Sequence, residues 1–276
     1  NEVLFHNANG YIGIRYDFEE GYPEGFSFVP SQYINGFYDF TPAVQPEKLY
    51  GLVNEKQTML NIANTQTIKL FIDNEPFSMF SGTVLRSRLS LDMHKGITVR
   101  NVLWRSPQGK ELELTVTRMA SFHQLSLFTI QYEVVPLNFS GRVTIKSSHN
   151  GKVLNYVDPE DPRMACEPFE YLTPAVSEIK EGVSYITSVT ARSGLEVCSC
   201  VKNILHQRHR QEFIVEGNQT ICQFETKATQ GKKIKLVKYA VFCDSIRHAN
   251  ARKQAELEMA QALGVGLPAL YRKQKQ

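Results

Sequence analysis

Long apolar runs are missing from this chain: nothing in its 276 residues approaches the ~18 to 20 apolar positions that span a bilayer. The first residues, NEVLFHNANG, carry neither a basic start nor the apolar core of a secretory signal. The chain therefore reads as cytoplasmic, without a membrane partner. An excess of one charge is missing too. Lys and Arg number 31 and Asp and Glu 28, a balance of +3 dispersed along the chain, which gives no footing for nucleic acid. Only the closing YRKQKQ is locally basic. Cysteine is scarce, five in all and odd in number, which fits reduced structural thiols better than a disulfide framework. Without a signal segment, the triplets Asn138-Phe139-Ser140 and Asn218-Gln219-Thr220 carry little meaning as glycosylation acceptors.

The motifs of the common catalytic machines are absent as well. There is no Walker loop, no dinucleotide glycine fingerprint between a strand and a helix, and no Gly-x-Ser-x-Gly elbow. Gly10-Tyr11-Ile12-Gly13 is too short to cradle a phosphate by itself. His206 and His209 have metal-ligand spacing only on a helix and lack a nearby Cys or carboxylate set, so they read as two histidines in a polar loop. Cys198 and Cys200 fall on one face of a strand, where thiols behave as small apolar side chains. No metal and no cofactor is expected.

What is present, from about residue 65 to residue 243, is strand after strand. In KELELTVTRM (110–119) Leu112, Leu114 and Val116 alternate with Glu111, Glu113, Thr115 and Thr117, the period of a half-buried strand. In QLSLFTIQYEVV (124–135) Phe128, Ile130, Tyr132 and Val134 share one face while Leu125 and Leu127 begin the other, so cover on both sides is expected. Ser106-Pro107-Gln108-Gly109 is a turn joining ITVRNVLWR to KELELTV. Further strands are expected at 141–148, 182–192, 195–204, 212–217, 220–228 and 233–244. Many antiparallel strands without intervening helices give a mainly β chain, a large antiparallel β-sandwich.

The pattern changes at Ser245, placed to cap a helix over IRHANARKQAELEMAQAL that ends at Gly264, with a second helix starting at Pro268. Ala249, Ala260 and Leu263 form one stripe beside Ala255, Met259 and Ala262, an apolar face suited to docking on a part of the protein outside this chain. The chain lacks an initiator Met and stops inside a helical pattern, so it reads as a piece of a longer protein, with 1–244 a β domain and 245–276 a helical linker.

Acidic residues gather twice. VDPEDPRMACEPFEYLTP (157–174), with Asp158, Glu160 and Asp161, reads as a solvated surface excursion between strands. Glu19 and Glu20 are adjacent, and neighbours on an extended chain point to opposite faces, so they are not a pair flanking one glycosidic bond.

NGYIGIRYDFEEGY (9–22), QYINGFYDF (32–40), LVN (52–54), IDNEPFSMFSG (72–82), residues 89–121 and VVPLNFSGRVTIKSS (134–148) together resemble, in sequence and order, the N-terminal domain of glycoside hydrolase family 65. DSIRHANARKQAELEMAQALGVGLPALY resembles that family's helical linker. Tyr16 stands where the family usually has Gly, and EKQTM (55–59) replaces a more apolar stretch. The resemblance implies a supersandwich of the mutarotase-like kind, a linker, and a following (α/α)6 barrel that carries the catalytic acid. It implies inverting phosphorolysis of a disaccharide such as maltose, trehalose, kojibiose or nigerose, with inorganic phosphate as co-substrate, in a homodimer. The barrel of the same chain is then this domain's partner, and this piece alone is inactive. A family 65 hydrolase and a free-standing carbohydrate-binding or mutarotase-like sandwich are the other function classes.

Within that resemblance Asn9, Gly10, Tyr11, Gly13, Arg15, Glu19 and Glu20 are the candidate site. Asn9-Gly10 can make a tight turn with positive φ, Gly13 permits close backbone approach, and Arg15 with Glu19 and Glu20 can hold charged contacts across a domain boundary. A second reading has Tyr11 stacked on a sugar ring and Asn9 bonded to a hydroxyl at the rim of the barrel's pocket. A third is that the segment serves internal folding.

Overall fold

The computed structural model describes residues 3–26, 31–43, 51, 53–155 and 172–274. The excursion expected at 157–174 lies outside the described residues, apart from its last three, which open a strand. Three short strands, β1 (Asn7–Ala8), β2 (Ile12–Ile14) and β3 (Gln32–Ile34), form a small antiparallel sheet. β4 (Tyr38–Pro42) pairs with β5 (Glu55–Met59). Next come β6 (Ile68–Ile72), β7 (Glu75–Pro76), β8 (Thr83–Asp92), β9 (Ile97–Arg105), β10 (Glu111–Ala120), β11 (Leu127–Pro136) and β12 (Gly141–Asn150). β13 (Leu172–Lys180), β14 (Val183–Thr190), β15 (Glu196–Leu205), β16 (His209–Glu216), β17 (Gln219–Ala228) and β18 (Ile234–Asp244) complete the strands.

Two antiparallel sheets carry the fold. One has eight strands in the order β13-β14-β15-β18-β11-β10-β9-β8, the other five in the order β16-β17-β12-β6-β7. The expected antiparallel sandwich is therefore present. Its cause is the period-2 pattern: β9 and β10 alternate half-buried and buried positions along their length. The hairpin between them closes at Ser106–Gly109, where Gly109 N–H donates to Ser106 O at 2.9 Å and Gly109 sits at φ 82°. Leu114, Phe128 and Tyr132 of the larger sheet face Leu70, Ile145 and Phe224 of the smaller one in the main core, each such burial contributing about 1.5–3 kcal/mol.

Polar side chains also pin the two sheets together. His149 of β12 reaches Ser184 of β14 and Ser199 of β15, both at 2.8 Å, and burial together with the nearby Lys238 charge pushes its pKa down to about 3, so it is a neutral ring. Lys238 of β18 donates to the backbone carbonyls of Ser148 and Thr67 at 2.7 and 3.2 Å.

The second core lies on the opposite face of the larger sheet, and it corrects the reading of the helices. Ser245 caps nothing: its hydroxyl accepts from Glu196 N–H at 2.8 Å and ties the end of β18 to β15. Residues 246 and 247 are held in a turn by Asp244 Oδ1. The N-cap is Asn250, whose side chain accepts from Lys253 N–H at 2.8 Å, and α1 runs Ala251–Val265. It stops at Gly266, φ 74°, two residues beyond Gly264, and α2 (Leu267–Lys273) follows with Pro268 in its first turn.

The buried stripe of α1 is Ala251, Ala255, Met259 and Ala262, and it lies on β15 and β18 of this same chain. Small side chains let the helix sit close enough for Cys200 Sγ to reach Ala255 O at 3.5 Å. Met259 is 2% exposed, so the apolar face expected to await a partner outside the chain is already covered; Ala260 is exposed and Leu263 packs at the margin. Met259→Ala is expected to lower stability by about 2–5 kcal/mol, while Leu257→Ala, at a position 57% exposed, changes it by less than about 0.5 kcal/mol. Urea unfolding of this chain checks both; equal small effects would place the helix off the sheet.

Candidate functional site

Residues 7–22 form an internal clasp. Ile12 and Ile14 enter the main core. Gly10, at φ 88°, makes the expected turn. The Asn9 amide donates to Ser121 O at 2.7 Å and Leu125 O at 2.9 Å, and its oxygen accepts from Tyr11 N–H and Ile12 N–H. Both donors and both lone pairs of that amide are thereby used, which leaves nothing for a sugar hydroxyl. Tyr11 is buried, its hydroxyl donating to Asp244 Oδ2 at 2.8 Å and its ring lying under the Arg247 guanidinium at 4.8 Å. No face of it is open to stack on a sugar. Gly13 is not a point of close approach: a Cβ built there would meet nothing within 4 Å. Arg15 is half-buried, and its backbone N–H donates to Ser31 O at 2.9 Å.

Glu19 and Glu20 converge. They sit in a turn, not on an extended strand, so the opposite-face argument does not apply and both carboxylates meet the Arg100 guanidinium of β9. Arg100 binds Glu20 through two nitrogens, at 2.9 and 2.6 Å, and Glu19 at 2.6 Å. Arg118 of β10 takes the other Glu19 oxygen at 2.6 Å through Nε, reaches Gln66 at 2.8 Å, and donates to the Asp17 backbone carbonyl. Every carboxylate oxygen of the two glutamates is engaged by a guanidinium of the sandwich. Their charged contacts are internal, where contacts across a domain boundary were expected.

The clasp is sealed by aromatic rings. Arg118 lies under Tyr16 at 4.6 Å and Arg100 under Phe18 at 5.0 Å. Phe18 contacts Tyr22, which stacks on Phe26 at 4.7 Å, and Phe80 closes the group. Burial alone would raise the Glu19 pKa, but the Arg118 and Arg100 charges and their hydrogen bonds outweigh it, and Glu19 is held below the usual carboxylate range. Two guanidiniums balance two carboxylates, so a third acid is surplus. Burial, with Glu19 and Glu20 beside it, pushes Asp17 up to about 7 against the pull of Arg118. A carboxylate locked in this way neither donates a proton nor attacks a substrate.

Sequence reasoning missed the two arginines, although a signal existed. In β9 the buried phase is Thr98, Arg100, Val102, Trp104, and in β10 it is Leu114, Val116, Arg118. An Arg in the apolar phase of a strand demands a buried acid, and Glu19-Glu20, set with Arg15 at a domain boundary, was an adjacent pair of acids able to meet it. Elsewhere, Cys198 and Cys200 lie buried in the helix-side core with Cys243, and burial raises all three thiol pKa values. His209 Nδ1 donates to Gln207 O at 2.6 Å, and the ring packs edge-on against Phe224. Among the described residues no group of three His, Cys, Asp or Glu is placed to hold a metal, and no helix is long and apolar enough to cross a membrane.

Comparison with known proteins places this geometry. A family model described as glycosyl hydrolase family 65, N-terminal domain, matches residues 1–276. An alpha,alpha-trehalose phosphorylase of Geobacillus stearothermophilus is 35% identical over 269 residues, covering 95% of this chain and 34% of that protein. One of Thermoanaerobacter brockii is 38% identical over 208 residues, covering 74% and 27%. A solved structure assigned as a kojibiose phosphorylase from the human microbiome superposes with TM-score 0.84 over 99% of this chain and 34% of that one, at 14% identity, which speaks to the fold alone. The chain thus spans about a third of the length of the relatives it matches.

Removing one charge of the clasp strands its partners. Glu19→Gln is expected to cost about 3–5 kcal/mol at neutral pH. Because the folded Glu19 pKa is depressed, its stabilisation is present above the unfolded carboxylate value and is lost as pH falls through and below it. Asp17 has the opposite sign: its folded pKa lies above the unfolded value, so its penalty is full above about 7 and vanishes as pH falls toward 4. Asp17→Asn should therefore stabilise the chain at pH 8 and leave it unchanged at pH 4. Denaturant titrations at the two pH values test this; a penalty from Asp17→Asn at pH 8 would contradict it.

Proposed function

The chain belongs to glycosyl hydrolase family 65 as its N-terminal domain, and from that premise we propose that it is the non-catalytic sandwich of a disaccharide phosphorylase. The parent enzyme cleaves an α-glucosidic disaccharide with inorganic phosphate, with inversion, to β-glucose 1-phosphate and a free sugar. The catalytic acid and the sugar and phosphate pockets belong to an (α/α)6 barrel in the remaining two thirds of the protein, and the parent acts in the cytoplasm as a homodimer. The observation that carries this reading is the saturation of the clasp: the paired acids of residues 7–22 are buried and fully bonded within the sandwich, while the matched relatives named as phosphorylases extend far beyond the matched region. A free-standing mutarotase-like enzyme would need a His and a Glu converging in a cleft. His149 instead meets two serine hydroxyls in the interior. A family 65 hydrolase shares this domain, and water or phosphate as acceptor is decided in the barrel.

The domain's contribution is docking, and the described surface favours one end for it. Val3, Leu4, Leu91, Met93, Phe122 and Leu125 are all exposed, Met93 by 84% and Leu4 by 71%. They come from segments in mutual contact: Asn9 bonds the 121–125 loop, Thr98 bonds Phe5 O, and Gln274 after α2 bonds Phe122 N and Ala120 O. α2 thus delivers the chain to an apolar end, and exposed apolar patches of this kind on folded proteins have partners.

Two outcomes are expected. Purified alone, this chain releases no sugar 1-phosphate from maltose, trehalose, kojibiose or nigerose with phosphate, whereas the longer parent does so from at least one; sustained turnover by the chain alone would end the reading. Changing Met93 and Phe122 together to Ser is expected to leave thermal unfolding of this chain nearly unchanged and to lower that of the parent by several degrees. Equal shifts in both would remove these residues from the domain boundary.

A further inference from the structure

The outer face of the five-stranded sheet carries a charge arrangement that the sandwich itself does not explain. Along β12, Val143 and Ile145 point into the core, and Arg142, Thr144 and Lys146 take the opposite phase. Pairing sets like charges directly opposite one another on that face: Arg142 faces Lys227 of β17, and Lys146 faces Lys69 of β6. Directly opposed like charges on neighbouring strands destabilise a sheet. Arg208, in the bend just before β16, lines the same cleft as Lys227 and Arg142, which are directly paired across β17 and β12.

That open cleft, of about 710 Å3, is completed by Gly141, His209, Arg210, Glu225 and Thr226. Four cations therefore surround one carboxylate. Among the described residues, none of the four is within ion-pair distance of an acid. Asp73, at the Arg142 end, is engaged by Lys110 at 2.8 Å and by the Arg142 backbone N–H. All four cationic side chains are exposed. The positive charge is local to this face, on a chain whose overall balance is only +3.

We propose that this cleft is an anion site that takes a chain of linked phosphate groups across Arg208, Lys227 and Arg142. Adjacent strands lie about 4.8 Å apart, so Arg142 and Lys227 on neighbouring strands, with Arg208 on the same cleft, match successive groups of an extended polyanion better than one phosphate. Guanidinium forks recognise phosphate oxygens in bidentate fashion. His209 also lines the cleft, but its ring packs edge-on against Phe224 and its Nδ1 is bonded to Gln207 O, so the phosphate chain is the recognised part, whether free or carried on a nucleoside.

Calorimetric titration of this chain with tripolyphosphate tests the proposal. One saturable site per chain is expected, at least tenfold tighter than for inorganic phosphate, with adenosine triphosphate binding about as well as tripolyphosphate and with affinity falling steeply as salt rises. The Arg208→Ala/Lys227→Ala double variant should weaken binding at least tenfold. Its thermal midpoint without ligand should be equal to or above wild type in low salt, because an opposed like-charge pair is gone, and tripolyphosphate should raise the midpoint of wild type only. Lys152→Ala, at an exposed lysine outside the cleft, should bind as wild type does. Absence of saturable binding, equal binding by the double variant, binding of adenosine triphosphate alone, or tighter binding of a poly-glutamate peptide would each overturn it.

Discussion

The buried exchange of charge between Arg100, Arg118, Glu19 and Glu20 is the constraint on which the rest of this structure depends. Two guanidiniums on the inner face of the larger sheet are 1–2% exposed and could not stay there uncompensated. Their counter-charges come from a segment about 80 to 100 residues earlier in the chain, so the N-terminal stretch must be laid into the sandwich before the sheet is electrically complete. Its other fixings follow from that. Glu19 O then accepts from Ile68 N–H at the start of β6, Asn9 fastens the β10–β11 loop, and Tyr11 reaches Asp244 at the end of β18.

Ionic clusters of this kind add little net stability compared with apolar packing of the same volume, but they penalise every alternative placement of the segment. A slip of one residue would put Phe18 or Gly21 at one of the two glutamate positions and leave a buried guanidinium short of its acid. The same logic governs the His149 and Lys238 pins between the sheets. Polar groups there fix the relative position of layers whose apolar contacts alone tolerate sliding. The helices complete the object differently, by small side chains on a flat sheet face, which explains why α1 has only a weak amphipathic pattern and still packs closely.

The sheets were legible in the sequence because period-2 alternation is a local property, and the strands from Ile97 to Asp244 fall close to where the pattern puts them, except β13 (Leu172–Lys180), which was not expected. Short strands such as β1 and β7, two residues each, leave no periodic trace. The helix start was misread because Ser245 and Asn250 are both good caps, and only the Asp244 turn and the contact with Glu196 N–H decide between them. The clasp was misread for a nonlocal reason. Adjacent acids diverge on a strand and converge in a turn, and residues 19–20 are a turn. The basic cleft was invisible for the same cause: Arg142, Arg208 and Lys227 are scattered in sequence, the first and last meeting only through strand register and Arg208 only through the fold of the segment before β16.

Bound in this way, the N-terminal segment is part of the folding unit and no mobile appendage. Native-state hydrogen exchange reads this residue by residue. The amides of Arg15, Asn35 and Ile68, bonded to Ser31 O, Tyr11 O and Glu19 O respectively, should exchange with the same opening free energy as amides in the middle of β10. Exchange of these three at a much lower free energy, with β10 still protected, would mean that the segment peels away from an intact sandwich and that the buried charges do not bind it in.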